Sequence, residues 1–162
     1  MKRIFFIITV PILIVAGLVA WGLGYFNQFP GDPLAAISSD SQAVLYSIDP
    51  REGRPTASPG VEAFHDWPIL GQTVLSGAKE RQMVIANLRR AARGAWDSAS
   101  CFNPRHAIRA TNATGTYDVL LCFECGRAAI FLPNGETRWI PIHGSPEVLN
   151  QILTAARVPL RP

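Results

Sequence analysis

Residues 4–26 read IFFIITVPILIVAGLVAWGLGYF, 23 positions without a charged side chain. No other feature limits the fold as strongly. A helix rises about 1.5 Å per residue, so a segment of this length matches a hydrocarbon core of roughly 30 Å. A transmembrane helix is expected over 1–26, either retained as an anchor or removed as a signal. Lys2 and Arg3 ahead of the run suit both. The length of the run, the poor small-residue cleavage sites and the interfacial aromatics Trp21, Tyr25 and Phe26 favour the anchor. Pro11 is compatible with it, because bilayer helices tolerate a proline when neighbouring groups satisfy the freed carbonyl.

Charge sets the orientation. Lys2 and Arg3 flank the run on its N-terminal side and Asp32 is the first charge after it, which places the remainder of the chain outside the cytoplasm. The 15 basic residues lose Lys2 and Arg3 to that flank, and the 13 left face 12 acidic ones. So even a balance gives no support to a nucleic-acid partner.

With 162 residues, 48% hydrophobic and 17% charged, there is room behind the apolar run for one small domain. Residues 27–41, NQFPGDPLAAISSDS, are rich in Pro, Gly, Ser and Asp and read as a linker. The domain is expected over 42–162. Strands are expected at 43–48 and 69–75, the second weakened or bulged at Gly71, with an exposed loop at 50–60 between them. A helix over 78–93, N-capped by Ser76, carries the stripe Val84, Ile85, Leu88, Ala91 and Ala92 and a basic opposite side of Arg81, Arg89, Arg90 and Arg93.

Four strands follow in close succession, at 102–110, 116–123, 127–132 and 137–142, the last two joined by an Asn134-Gly135 hairpin signal. A closing helix starts at Ser145-Pro146-Glu147 and carries Leu149, Ile152, Leu153 and Ala156 on one stripe. The fold class is α+β. The expected architecture is a small two-layer sandwich, a mainly antiparallel meander with two amphipathic helices on one face.

Alternation sets the register of the first two meander strands. Tyr117, Val119, Leu121 and Phe123 share a face, and Phe102, Pro104, His106, Ile108 and Ala110 join them if Ala110 lies opposite Tyr117. The same register sets Arg109 opposite Asp118 and Arg105 beside Cys122, one pair from Glu124. His106 then points to the apolar side as a hydrogen-bonded core residue or a ligand. Cys101 and Cys122 lie on the other face, which counts against a ready-made Cys-His pair.

Cys101-Phe102-Asn103-Pro104-Arg105-His106 followed by Cys122-Phe123-Glu124-Cys125 resembles an uncharacterised group of small bacterial proteins. The resemblance extends upstream through FHDWPILGQTVL, residues 64–75, and the helix after it. It implies that the Cys and Pro-Arg-His elements belong together, and it supplies no catalytic assignment.

The three thiols admit four chemistries. Cys122-x-x-Cys125-Gly126 has zinc-knuckle form, and Cys101 with His106 or His143 would complete a Cys₃His site. Outside the cytoplasm a Cys101–Cys125 disulfide is expected instead, leaving one thiol over. Free thiols buried for packing are a third reading. Redox or nucleophilic chemistry is the fourth, although a thioredoxin-type motif needs a helix after Cys125 and residues 127–132 read as a strand.

Two functions follow. The first is a membrane-attached extracytoplasmic binding or structural module, stabilised by its cysteines, with a protein or small-molecule partner. The second is a small metal- or thiol-dependent enzyme that uses the region from Cys101 to Cys125. The first is preferred, because no convergent acid-base set is visible.

Overall fold

The computed structural model describes residues 29, 31–40, 42–50, 60–93 and 98–161. The membrane segment expected over 1–26 lies outside the described residues. No helix among them is long and apolar enough to cross a membrane.

The chain forms helix α1 (Pro33–Ser39), strands β1 (Val44–Ile48), β2 (Ala63–Phe64) and β3 (Trp67–Val74), and helix α2 (Ala78–Ala92). The meander β4 (His106–Asn112), β5 (Gly115–Cys122), β6 (Arg127–Phe131) and β7 (Thr137–Pro141) and helix α3 (Glu147–Ala155) complete it. The strands make one seven-stranded antiparallel sheet in the order β2-β3-β1-β4-β5-β6-β7. The α+β class and the meander are as expected. The sheet is larger, because β1 inserts between β3 and β4 and joins the N-terminal hairpin to the meander.

The register of β4 and β5 follows the alternation argument. Ala110 pairs with Tyr117 and Arg109 with Asp118. Ile108, Ala110, Val119, Leu121, Ala128 and Ile130 face the helices, where Val84, Ile85 and Leu88 of α2 and Leu149 and Leu153 of α3 meet them in the main core. At Gly71 the β1–β3 register slips. A β-carbon there would lie 2.9 Å from a Val158 methyl, so glycine lets the C-terminal tail lie across the strand.

Two expectations are corrected. Within the expected linker, the described residues 29 and 31–40 are not a free tether: Pro33–Ser39 is helical, and Phe29, Leu34, Ala36 and Ile37 are buried in the main core. Asp32 Oδ1 accepts from Ala35 N–H at 2.9 Å and Pro33 opens the helix, a start signal that outweighs the loop-like composition. Among the described residues the helix face therefore carries three helices instead of two. On the basic side of α2, the Arg81 guanidinium donates to the carbonyls of Ser38, Leu75 and Ser76 and fastens α1 to the start of α2. Strand β4 does not begin at 102. It begins at His106, and Phe102 packs on the opposite side of the sheet from that histidine.

That opposite side holds a second core. Tyr46, Ile48, Phe64, Trp67, Ala107, Leu120 and Ala129 are buried there, with Phe102 and Phe131 packed against them. The sheet curls around this set, so that Phe102 touches both Trp67 on β3 and Trp139 on β7.

Candidate functional site: an aromatic cleft on the concave face

Pairing across the sheet lays two rows of side chains on the concave face. One is Val44, Arg109, Asp118, Phe131 and Thr137, and the other is Tyr46, Ala107, Leu120, Ala129 and Trp139. Ala129 creates space on this face. A large residue there would fill the floor between Leu120 and Trp139, whereas alanine leaves a cleft of about 540 Å³ lined also by Trp67, Phe102, Phe131 and the polar His65, Asp66, Asn103 and Thr137. Such a volume suits a small molecule.

Three rings shape one end. Phe102 meets Trp67 at 78° and Trp139 at 82°, with centroids 6.3 and 4.8 Å apart. Edge-to-face contacts of this kind hold the rings in fixed orientations and leave their other faces open. Trp139 is 50% exposed, and Arg127 lies over its ring at 4.7 Å. That cation contact holds the indole in place.

The other end is built around a buried carboxylate. Asp118 Oδ1 accepts from Arg109 Nε and Oδ2 from Arg109 Nη2, both at 2.7 Å, and His65 Nε2 donates to Oδ2 at 2.7 Å. Burial pushes the Asp118 carboxyl up, but the hydrogen bonds from Arg109 and His65 outweigh it and hold it below the ordinary carboxylate range. With both oxygens engaged, Asp118 positions its neighbours and is not free to accept a substrate proton. The His65 ring is stacked on Phe131 at 3.6 Å and becomes part of the cleft wall.

His65 and Asp66 form the two-residue turn between β2 and β3, where Phe64 pairs with Trp67. Both have left-handed backbones, φ 48° and 72°. A hairpin turn of this length favours Asn-Gly for that reason, so two side-chain-bearing residues here cost about 1 kcal/mol or more each. The hydrogen bond to Asp118 and the stack on Phe131 hold His65 in this conformation. In the sequence, His-Asp carries no turn signal, which is why neither residue stands out there.

None of the three cysteines lines the cleft, but Cys101 directly precedes its Phe102. Cys101 and Cys125 form a disulfide with Cα atoms 5.7 Å apart, tying the segment ahead of β4 to the β5–β6 turn. The bond sits one residue from Phe102 and so helps place the central ring. Cys122 is a buried free thiol that accepts N–H groups from Asn103 and, at 3.2 Å, Cys125. Burial pushes its pKa up, which leaves it protonated and a poor nucleophile.

His106 is on the helix face, buried, and bonds through Nε2 to Asn150 Oδ1 at 2.8 Å. Burial lowers its pKa, so the ring is neutral. Cys101, Cys122, Cys125 and His106 are therefore divided between a disulfide, a packed thiol and a core histidine on the other face. Among the described residues no group of three His, Cys, Asp or Glu side chains is placed to hold a metal ion. His143 is near the disulfide, sharing a surface hollow with Ser98, Cys125 and Gly126. Comparison with protein-family models, with curated proteins and with solved structures finds no match for the chain.

Proposed function

We propose that the chain is a membrane-tethered, extracytoplasmic binding module whose concave cleft takes a small, flat, aromatic ligand. The observation that carries this reading is the half-exposed Trp139, held at right angles to Phe102 in the wall of an open cleft. Orthogonal rings receive a flat ligand by stacking and by edge contact together. Asp66, Asn103 and Thr137 supply polar contacts for its rim. The disulfide serves this site by anchoring Phe102, and the apolar run at 4–26 with Lys2 and Arg3 ahead of it supports the tether.

Isothermal titration of the full-length chain with indole tests the cleft. Saturable binding is expected, and Trp139→Ala should weaken it about five- to tenfold, as loss of a stacked ring contact of roughly 1–1.5 kcal/mol implies. The substitution should leave the melting temperature nearly unchanged, because the ring is half in solvent. Equal affinity in the wild type and in Trp139→Ala would refute the cleft as the binding surface.

A further inference from the structure

Among the described residues three buried side-chain atoms have no hydrogen-bond partner: Asn87 Oδ1, Arg105 Nε and His106 Nδ1. Native proteins leave few such atoms, and each calls for an explanation. Two of the three belong to residues that line one cavity, and the third belongs to a residue bonded to its rim. Arg105 and His106 line a cavity of about 380 Å³ with Asn103, Phe123, Glu124 and the turn at 144–146, and Asn87 donates through Nδ2 to the Ser145 carbonyl at that turn. The cavity is separate from the aromatic cleft, sharing only Asn103 with it.

The polarity of the unpaired atoms defines what would satisfy them. His106 Nε2 faces the carbonyl oxygen of Asn150 and must donate, so in the neutral ring Nδ1 is left as an acceptor. Arg105 Nε–H is a donor. Its charge is already matched, since Nη2 contacts Glu124 Oε2 at 3.2 Å and both residues line the cavity. A ligand ion would meet a cation and an anion at once and gain little from either. The apolar walls are Phe123 and Pro146.

We propose that this cavity is a binding site for a small neutral molecule that presents a hydrogen-bond donor beside an acceptor, as hydroxyl and primary amide groups do. The acceptor takes the Arg105 Nε–H and the donor meets His106 Nδ1. Both atoms are shielded from solvent here, so the ligand engages them by moving part of the cavity wall. In this proposal the part of the wall that moves is the turn at 144–146, where Gly144 has φ 113° and nothing within 4 Å of where its β-carbon would stand.

The test is a titration of the full-length chain with myo-inositol and acetamide as the neutral probes and with acetate and methylammonium as ionic controls. Binding is followed at the His106 ring by ¹⁵N NMR. A neutral probe should bind saturably, with a dissociation constant of about 1 mM or tighter, and shift the Nδ1 resonance. Arg105→Lys keeps the charge opposite Glu124 but removes Nε–H, and should weaken binding about fivefold, the loss expected of one hydrogen bond. If neither neutral probe shifts Nδ1, if an ionic control binds more tightly, or if Arg105→Lys binds as the wild type does, the proposal is wrong. Should Arg105→Lys fail to fold, the wild-type Nδ1 shift alone decides.

Discussion

Asp118 shows how one residue joins stability to the site. Its carboxylate is nearly enclosed, and three donors from Arg109 and His65 replace the water it has lost. Asp118→Asn keeps the shape but removes the charge, leaving the guanidinium without its counter-ion. Breaking a buried pair costs about 3–5 kcal/mol, but Arg109 is half exposed and screened, so about 2 kcal/mol is expected. The pH dependence has a definite sign. The folded-state pKa lies below the ordinary value of 3.8, so the unfolded chain binds the proton more readily. The stabilisation is complete above that value and is lost as pH falls through the folded pKa. Urea unfolding should show wild type and Asp118→Asn well separated at pH 7 and converging below about pH 4. A constant difference from pH 7 to pH 3 would mean that the carboxylate's charge is not what holds His65 and Arg109.

At the scale of elements, the Cys101–Cys125 bond closes a loop with a sequence separation of 24 and fixes the approach to β4 against the β5–β6 turn. In the chain-entropy model closing such a loop contributes about 3 kcal/mol. Cys101→Ser should lower stability by that amount, and a reductant should do the same to the wild type while a chelator leaves it unchanged. Indole affinity should fall with the bond, because Phe102 loses its neighbouring anchor. The elements that the sequence made legible are those with a local signal. The α2 stripe, the alternation of β4 and β5 and the Pro146-Glu147 start of α3 each leave a periodic or terminal mark. The cleft leaves none. It arises where Ala129 falls between Leu120 and Trp139 in one row across three strands, and where Phe102 leaves the face that its numbering assigned to it. Which side chains flank a small residue is a property of register across the sheet, and alternation within one strand cannot show it. The β2–β3 turn was hidden for a different reason: tertiary contacts of His65, absent from any turn propensity, hold a conformation that its sequence disfavours.

For the whole molecule, the decisive question is where the folded unit starts relative to the membrane. If residues 4–26 span the bilayer, a reporter fused after Pro162 should be active outside the cytoplasm, and the full chain should stay with membranes at high salt. The unit cannot begin far beyond the span, because the core reaches back to Phe29. Gly31 has φ 70°, and a β-carbon there would come within 2.9 Å of Leu132 and 3.2 Å of Tyr117, so the backbone lies directly on the sheet just ahead of α1. Asp40 adds a polar tie, its Oδ2 accepting from Thr111 N–H at 2.9 Å. Burying Phe29, Leu34 and Ile37 contributes roughly 5–9 kcal/mol at about 1.5–3 kcal/mol each, comparable with the total stability of about 5–15 kcal/mol usual for a domain. A chain starting at Phe29 should therefore unfold cooperatively, as judged by circular dichroism in urea. One starting at Gln42 should be unfolded or aggregated, with Ile108, Ala110 and Tyr117 uncovered. Cooperative unfolding of the shorter chain at the same urea midpoint would show that α1 is an accessory to the sheet, and that the linker extends to residue 41 after all.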